Sequence, residues 1–142
     1  MIDLPDVNVW VALSYDGHPH HSRAQTYWQS ERAEQAAFCS ATMMGMLRIL
    51  TLNGPMDGRP FTPRRVSEKY SQLSLLSDVG FIPDSSTVRS RIGSWAMEPF
   101  FTGKLWTDAW IAALAMENGC RVVSFDSDFG KFPGLQFLHL AP

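Results

Sequence analysis

The sequence predicts an α/β sandwich around a mostly parallel sheet of about five strands. Three observations carry this. Short apolar runs of β-type residues alternate with helix-length segments along the whole chain, the signature of strands joined by helical crossovers. The stretch Thr107 to Phe129 reads as one helix, one buried strand and an acidic turn. Hydrophobic content of 45% with 18% charged residues belongs to a folded domain, and 142 residues suffice for a real core.

Met1 to Asp6 reads as a first strand ending in an acid, with Pro5 closing its ladder. Asn8 to Ser14 follows directly as an apolar helix, which puts Asp6 at a strand-to-helix junction. A polar loop, Tyr15 to His21, leads to a long helix over about His20 to Gln35, with Ala24, Tyr27, Trp28 and Ala33 facing inward. Ala36 to Ser40 is a second strand, and Thr42 to Leu52 a third helix rich in Met and Leu with Arg48 as its one charge. Asn53 to Pro60 is a Gly/Pro loop. Thr62 and Pro63 make a cap-plus-proline start for a helix to about Ser77.

Gly80 to Pro83 is a third strand, and Ser85 or Ser86 caps a helix through about Met97. A loop runs from Glu98 to Leu105. Thr107 then suits an N-cap, Asp108 suits the first turn, and the Ala-rich run to Met116 has strong helix propensity. Gly119 stops that helix. Val122, Val123 and Phe125 form a strand covered on both faces, and Leu135 to Leu140 a last one. No internal repeat or second domain is visible, so residues 1–142 read as one domain.

The totals exclude several classes. No apolar run approaches the roughly 20 residues of a membrane span, and Met1 to Asp6 lacks the positive start of a signal peptide, so a cytoplasmic protein is expected. Cys39 and Cys120 both fall in apolar strand contexts and read as buried thiols of a reducing compartment. A net charge of −2 is not the footprint of a protein that grips nucleic acid over its whole surface. There is no Walker loop, no GxGxxG and no serine nucleophile elbow. A receiver-type pocket fails because Asp57 lies in a Gly/Pro loop and not at a strand end.

The chemistry is carried by Asp6, Asp108, Asp126 and Asp128. Taken singly, each is accounted for as a cap or a turn former. Taken together, carboxylates at two strand ends and one helix start converge at the edge of a parallel sheet where ligands sit. Such a cluster repels itself unless a cation lies within it, and hard oxygen ligands suit Mg²⁺ or Mn²⁺. An ion there activates water and steadies the charge on a phosphate. His18, His20 and His21 lack zinc spacing and read as a solvated turn and helix start. Met43, Met44 and Met46 read as core at helical spacing. Arg48, alone in an apolar helix, pairs with a buried acid or serves the site, and Lys104, four residues before Asp108, reaches the pocket mouth. Both are candidate RNA or phosphate contacts.

Three motifs now carry a resemblance. Asp6-Val7-Asn8-Val9-Trp10-Val11-Ala12-Leu13 resembles the opening of a PIN-domain nuclease, Gly103 to Ala115 its central motif, and Val123 to Phe129 with Phe132-Pro133-Gly134-Leu135 its closing motif. The likeness runs from end to end and is nearest to the VapC toxins of type II toxin–antitoxin pairs. It implies a three-layer α/β/α fold and a Mg²⁺- or Mn²⁺-dependent endoribonuclease that cuts structured RNA, tRNA or rRNA. It also implies a homodimer held in check by a VapB-type antitoxin. By residue, it implies Asp6, Asp108 and Asp126 as metal-binding acids and Asp128 as an auxiliary one, flanked by Asn8 and Thr107.

One departure stands out. Many relatives carry a Glu early in the third helix, where this chain has Gly45, a pattern shared by a subgroup of VapC-like proteins. One carboxylate fewer lowers the site's charge and its pull on a metal. The backbone at Gly45, water, or the hydroxyls of Ser40 and Thr42 are the groups able to fill the gap. The departure also motivates a second reading, a PIN domain that binds RNA or antitoxin without cutting.

Overall fold

The computed structural model describes residues 1–142. Its elements run β1 (Ile2–Pro5), α1 (Val7–Ser14), α2 (His21–Thr26), β2 (Gln35–Cys39), α3 (Ser40–Leu50), α4 (Pro63–Ser74), β3 (Val79–Ile82), α5 (Val88–Ala96), α6 (Trp106–Glu117), β4 (Cys120–Ser124) and β5 (Phe137–His139). The five strands form one sheet in the order β3-β2-β1-β4-β5, and every pairing is parallel. The order reverses between β1 and β4, the switch point at which open α/β sheets bind ligands.

Period-2 alternation sorts the strand residues into two layers of core. From β2, Ala37 and Cys39 pack under α5 and α6 with Leu4, Ile82, Cys120 and Val122. Ala36 and Phe38 of the same strand face the other way, onto Trp10 of α1, Met46 and Leu50 of α3 and Val66 of α4. Helices therefore cover both faces, giving the expected three-layer α/β/α arrangement. Cys39 and Cys120 are free and buried on β2 and β4, with β1 between them. No helix is long and apolar enough to cross a membrane.

The local signals hold for most elements and fail informatively for three. Thr62 caps α4 as predicted, accepting from Arg65 N–H at 3.2 Å, and Gly119 turns the chain after α6 with φ of +64°. The helix expected over His20 to Gln35 is shorter. After Thr26 it widens into a π-helical turn, Tyr27–Glu31, and stops. Asp3 is the cause. Its fully buried carboxylate takes the Ala33 N–H at 2.9 Å and the Tyr27 hydroxyl at 2.7 Å, which draws the chain out of helix. Arg121 clamps the same carboxylate through its Nε at 2.8 Å and Nη2 at 3.0 Å.

Thr107 is not an N-cap. A 3₁₀ turn, Gly103–Leu105, feeds α6 directly, so the helix starts at Trp106 and Leu105 holds the cap position. Neither Ser85 nor Ser86 holds the N-cap of α5, which falls to Thr87. The His18–His21 segment is less solvated than expected. The His21 Nδ1 lies 2.7 Å from the Ala12 carbonyl, and the His20 ring stacks on Phe125 at 4.7 Å. Of the three methionines, Met46 is buried, whereas Met44 is exposed.

Candidate active site

The site forms where β1 and β4 end side by side. Asp6 follows β1 and is buried. Its Oδ1 accepts the Val7 N–H at 2.8 Å, so it caps α1, and its Oδ2 accepts the Ser124 hydroxyl at 2.8 Å. Ser124, the last residue of β4 and fully buried, is a hub that sequence reasoning passed over. Its one hydroxyl hydrogen goes to Asp6. Its oxygen accepts from Asn8 Nδ2 at 3.1 Å and from the Asp126 N–H at 2.9 Å. A hydroxyl has one donor and two acceptor positions, and all are used. The signal for it was a lone hydroxyl at the end of an apolar strand, immediately before an acidic turn. Asn8 completes the lock, its Oδ1 accepting the Phe125 N–H at 3.3 Å.

Asp126 is exposed and caps the following 3₁₀ turn, Ser127–Lys131, by accepting the Asp128 N–H at 2.9 Å. Asp128 is engaged by two lysines, Lys104 at 3.2 Å and Lys131 at 3.0 Å. These ammonium groups, Lys131 first, hold its carboxyl below the usual carboxylate range. Lys104 is thereby tied to the acidic turn after β4.

Asp108 sits in the first turn of α6 with no hydrogen bond from the protein to its carboxylate. Burial first, then the charges of Asp6, Asp126 and Asp128, push its carboxyl up to about 7, against a smaller opposing pull from Lys104. Asp6 is raised as well, by burial, with the Ser124 and Val7 hydrogen bonds opposing and Asp126 adding to it. The four acids therefore share one electrostatic field. They do not close into a cage: no three His, Cys, Asp or Glu groups converge tightly enough to hold an ion by themselves.

The remaining sequence candidates divide. Thr42 cannot fill the place of the absent Glu. Its hydroxyl is buried, accepting the Cys39 N–H at 3.0 Å and donating to the Cys39 carbonyl at 3.2 Å, which caps α3. Ser40, the first residue of α3, is half-buried and makes no side-chain hydrogen bond. Thr107 is exposed beside Asp108. Arg48 pairs with no buried acid. It is exposed near the far end of α3, in a groove with Met44, Leu47 and Val66, roughly 12 Å along the helix from Ser40.

Gly45 has a steric role that the sequence concealed. A Cβ there would stand 2.4 Å from Cγ2, 3.1 Å from Cγ1 and 3.3 Å from Cβ of Val7. Close approach of α3 to α1 needs the glycine, and Val7 is the neighbour of Asp6. A carboxylate-bearing side chain at this position does not fit the present packing.

The PIN domain family model matches residues 4–135. Ribonuclease VapC41 of Mycobacterium tuberculosis is 31% identical, over 97% of this chain and 98% of its own length. Ribonuclease VapC39 of the same organism is 30% identical, over 89% of this chain and 90% of its own. Among solved structures, the fold resembles M. tuberculosis VapC20, described as a Sarcin-Ricin loop cleaving toxin, with TM-score 0.74, 18% identity and 99% coverage of both chains. It also resembles a chain of Rickettsia felis VapBC2 bound to a promoter DNA fragment, with TM-score 0.67, 16% identity, and coverage of 99% and 100%. With its acids at the switch point and these relatives along its full length, the chain belongs to the PIN-domain family, among the VapC ribonucleases.

Proposed function

We propose that this chain is a divalent-metal-dependent endoribonuclease, the toxin of a type II toxin–antitoxin pair, in which Asp6, Asp108 and Asp126 hold Mg²⁺ or Mn²⁺. The carrying observation is the placement of the acids: Asp6 and Asp126 follow the paired parallel strands β1 and β4 at the switch point, and Asp108 opens α6 with its carboxyl pushed up by burial and by the three neighbouring acids. Carboxylates gathered at such cost fit an all-oxygen donor set for a hard cation. The ion, when bound, supplies charge neutralisation at the scissile phosphate and activation of the attacking water.

The protein's own residues do the positioning. Ser124 and the Val7 N–H fix Asp6, and Asn8 ties the start of α1 to the end of β4. Asp108 keeps both oxygens free of protein donors. Lys104 and Lys131 hold Asp128 and place two positive charges where an RNA backbone would enter. The relatives' names extend the reading to RNA as substrate and a VapB-type antitoxin as partner, and the proposed compartment is the cytoplasm. Within it, the homodimer is the assembly, residues 1–142 act as one PIN-like domain, and tRNA or rRNA is the target class.

The test is cleavage of total RNA with Mg²⁺, Mn²⁺ or EDTA, by wild type, Asp6→Asn and Asp108→Asn. Loss of cleavage in EDTA and in both variants is expected, and variants that cut like wild type would refute the site. One observation favours the second reading, binding without cutting: no three ligating groups converge, and Gly45 leaves no room for a further acid. Millimolar Mn²⁺ that leaves the resonances of both Asp6 and Asp108 free of paramagnetic broadening would support it.

A further inference from the structure

At the start of α6, next to Asp108, lies a pocket of about 360 Å³, lined by Ala41, Asp84, Trp106, Thr107 and Trp110. All five stand at the carboxyl edge of the sheet or the start of α6. Ala41 lies two residues beyond β2, Asp84 two beyond β3, and Thr107 adjoins Asp108. Trp106 and Trp110 are four residues apart and so share one face of α6. Trp106 is 54% exposed, yet its ring is braced edge-on by Phe101 at 4.8 Å. Trp110 Nε1 donates to Asp84 Oδ1 at 3.1 Å, which fixes the carboxylate. No protein group donates to Asp84 Oδ2.

We infer that this pocket receives one unpaired nucleobase of the RNA, stacked on Trp106, with Asp84 selecting guanine. The inference rests on the reading that the chain acts on RNA. An exposed, braced indole is a stacking platform for a splayed base. A carboxylate repels phosphate but accepts N–H donors. Guanine alone among the four bases presents two adjacent ones, N1–H and the N2 amine, on its Watson–Crick edge. Asp84 Oδ2 and the remaining lone pair of Oδ1 match that pair. The pocket adjoins Asp108, so a base bound there sets which phosphodiester lies over the acids.

The test is binding of labelled single-stranded RNA pentamers, by fluorescence anisotropy in EDTA. Each carries one guanosine, inosine or adenosine in an otherwise uridine strand. Stacking on an aromatic ring is worth enough that Trp106→Ala should weaken the guanosine pentamer at least about fivefold. Trp106→Phe should restore most of that. Wild type should bind guanosine at least about fivefold tighter than inosine, which lacks the N2 amine, and Asp84→Asn should narrow the gap to less than about twofold. Both residues are exposed, so wild-type melting curves are expected for the variants. Equal binding of all three pentamers by wild type, or unchanged binding by Trp106→Ala, overturns the inference. Unchanged RNA binding with loss of a co-expressed VapB-type antitoxin from the purified complex would also overturn it, by assigning the pocket to protein. Wild type that binds as described but never cuts RNA defeats the nuclease reading alone. Wild type that cuts RNA with no dependence on Trp106 defeats this inference alone.

Discussion

Gly45→Ala sets two opposite effects against each other, and the structure decides between them. Helix propensity alone favours alanine by about 1 kcal/mol at an interior helical position. Packing opposes it. The new Cβ would stand 2.4 Å from Val7 Cγ2, where carbon atoms ordinarily meet at about 3.5–4.0 Å, so a gap of more than about 1 Å must open. Val7 cannot swing aside cheaply. All three of its nearest atoms belong to the first branch of the side chain, and a β-branched residue in a helix has one strongly preferred χ1. Overpacking a tight contact costs about 1–3 kcal/mol, and a clash with a stiff branch belongs in the upper half. The net expectation is destabilisation by about 1–2 kcal/mol, a fall in Tm of about 3–7 °C for a domain of this size. Urea unfolding of wild type, Gly45→Ala, Val7→Ala and the double variant measures it as a cycle. The double variant should recover about 1 kcal/mol relative to additivity, because Val7→Ala removes the methyls in the way. A Gly45→Ala protein as stable as wild type, or more so, would refute the close-approach argument and return the position to propensity alone.

Ser124→Ala should cost about 2–3 kcal/mol by urea denaturation, because it strips the buried Asp6 carboxylate of one of its two donors and two N–H groups of their acceptor. Asp3→Ala should cost about 3–5 kcal/mol, since Arg121, Tyr27 and Ala33 all lose their shared acceptor. Replacing Asp3 and Arg121 together by apolar residues should cost clearly less than the sum of the singles. In EDTA, the Tm of the wild type should rise as pH falls from 8 towards 5. The folded Asp108 carboxyl, near 7, takes a proton before its unfolded counterpart, near 3.8, so the folded state binds more protons in that window. Asp6 adds the same sign, whereas His18, lowered by burial and by His20 and His21, opposes it below pH 6.5. Differential scanning fluorimetry of wild type against Asp108→Asn isolates the acid: the variant should melt higher at pH 8, with the difference shrinking towards pH 5.

What the sequence displayed was local or periodic. The alternation of strands and helices, the Thr62-Pro63 start, the Gly119 stop and the acids at the ends of β1 and β4 are each written in a few consecutive residues, and each is present in the fold. What it concealed depends on partners far along the chain. Asp3 meets Arg121 118 residues away, and the bonds of that buried carboxylate, not any breaker, end the helix after Glu31. Ser124 joins Asp6 across the same span. Gly45 looked like an acid removed, because its neighbour Val7 is brought to it only by the packing of α1 on α3. Arg48 looked isolated in an apolar helix, yet α3 is half-exposed there and needs no partner for it.

For these aspartates, capping is compatible with the proposed ligation. Asp6 caps α1 and Asp126 caps the 3₁₀ turn, each with a hydrogen bond that fixes its carboxylate. Capping is what holds the two acids in place on either side of the switch point. Asp128 is steadied differently, by two lysines. Asp108 alone receives neither a donor nor a close cation, and it bears the repulsion of the other three. The strain of gathering the acids is thus concentrated on one side chain. On the proposed metal site, that side chain would gain most from a divalent ion, and it gains from a proton too, so metal and proton would compete at Asp108 first. Asp6 and Asp126, already anchored by the backbone, form the fixed wall against which that competition takes place.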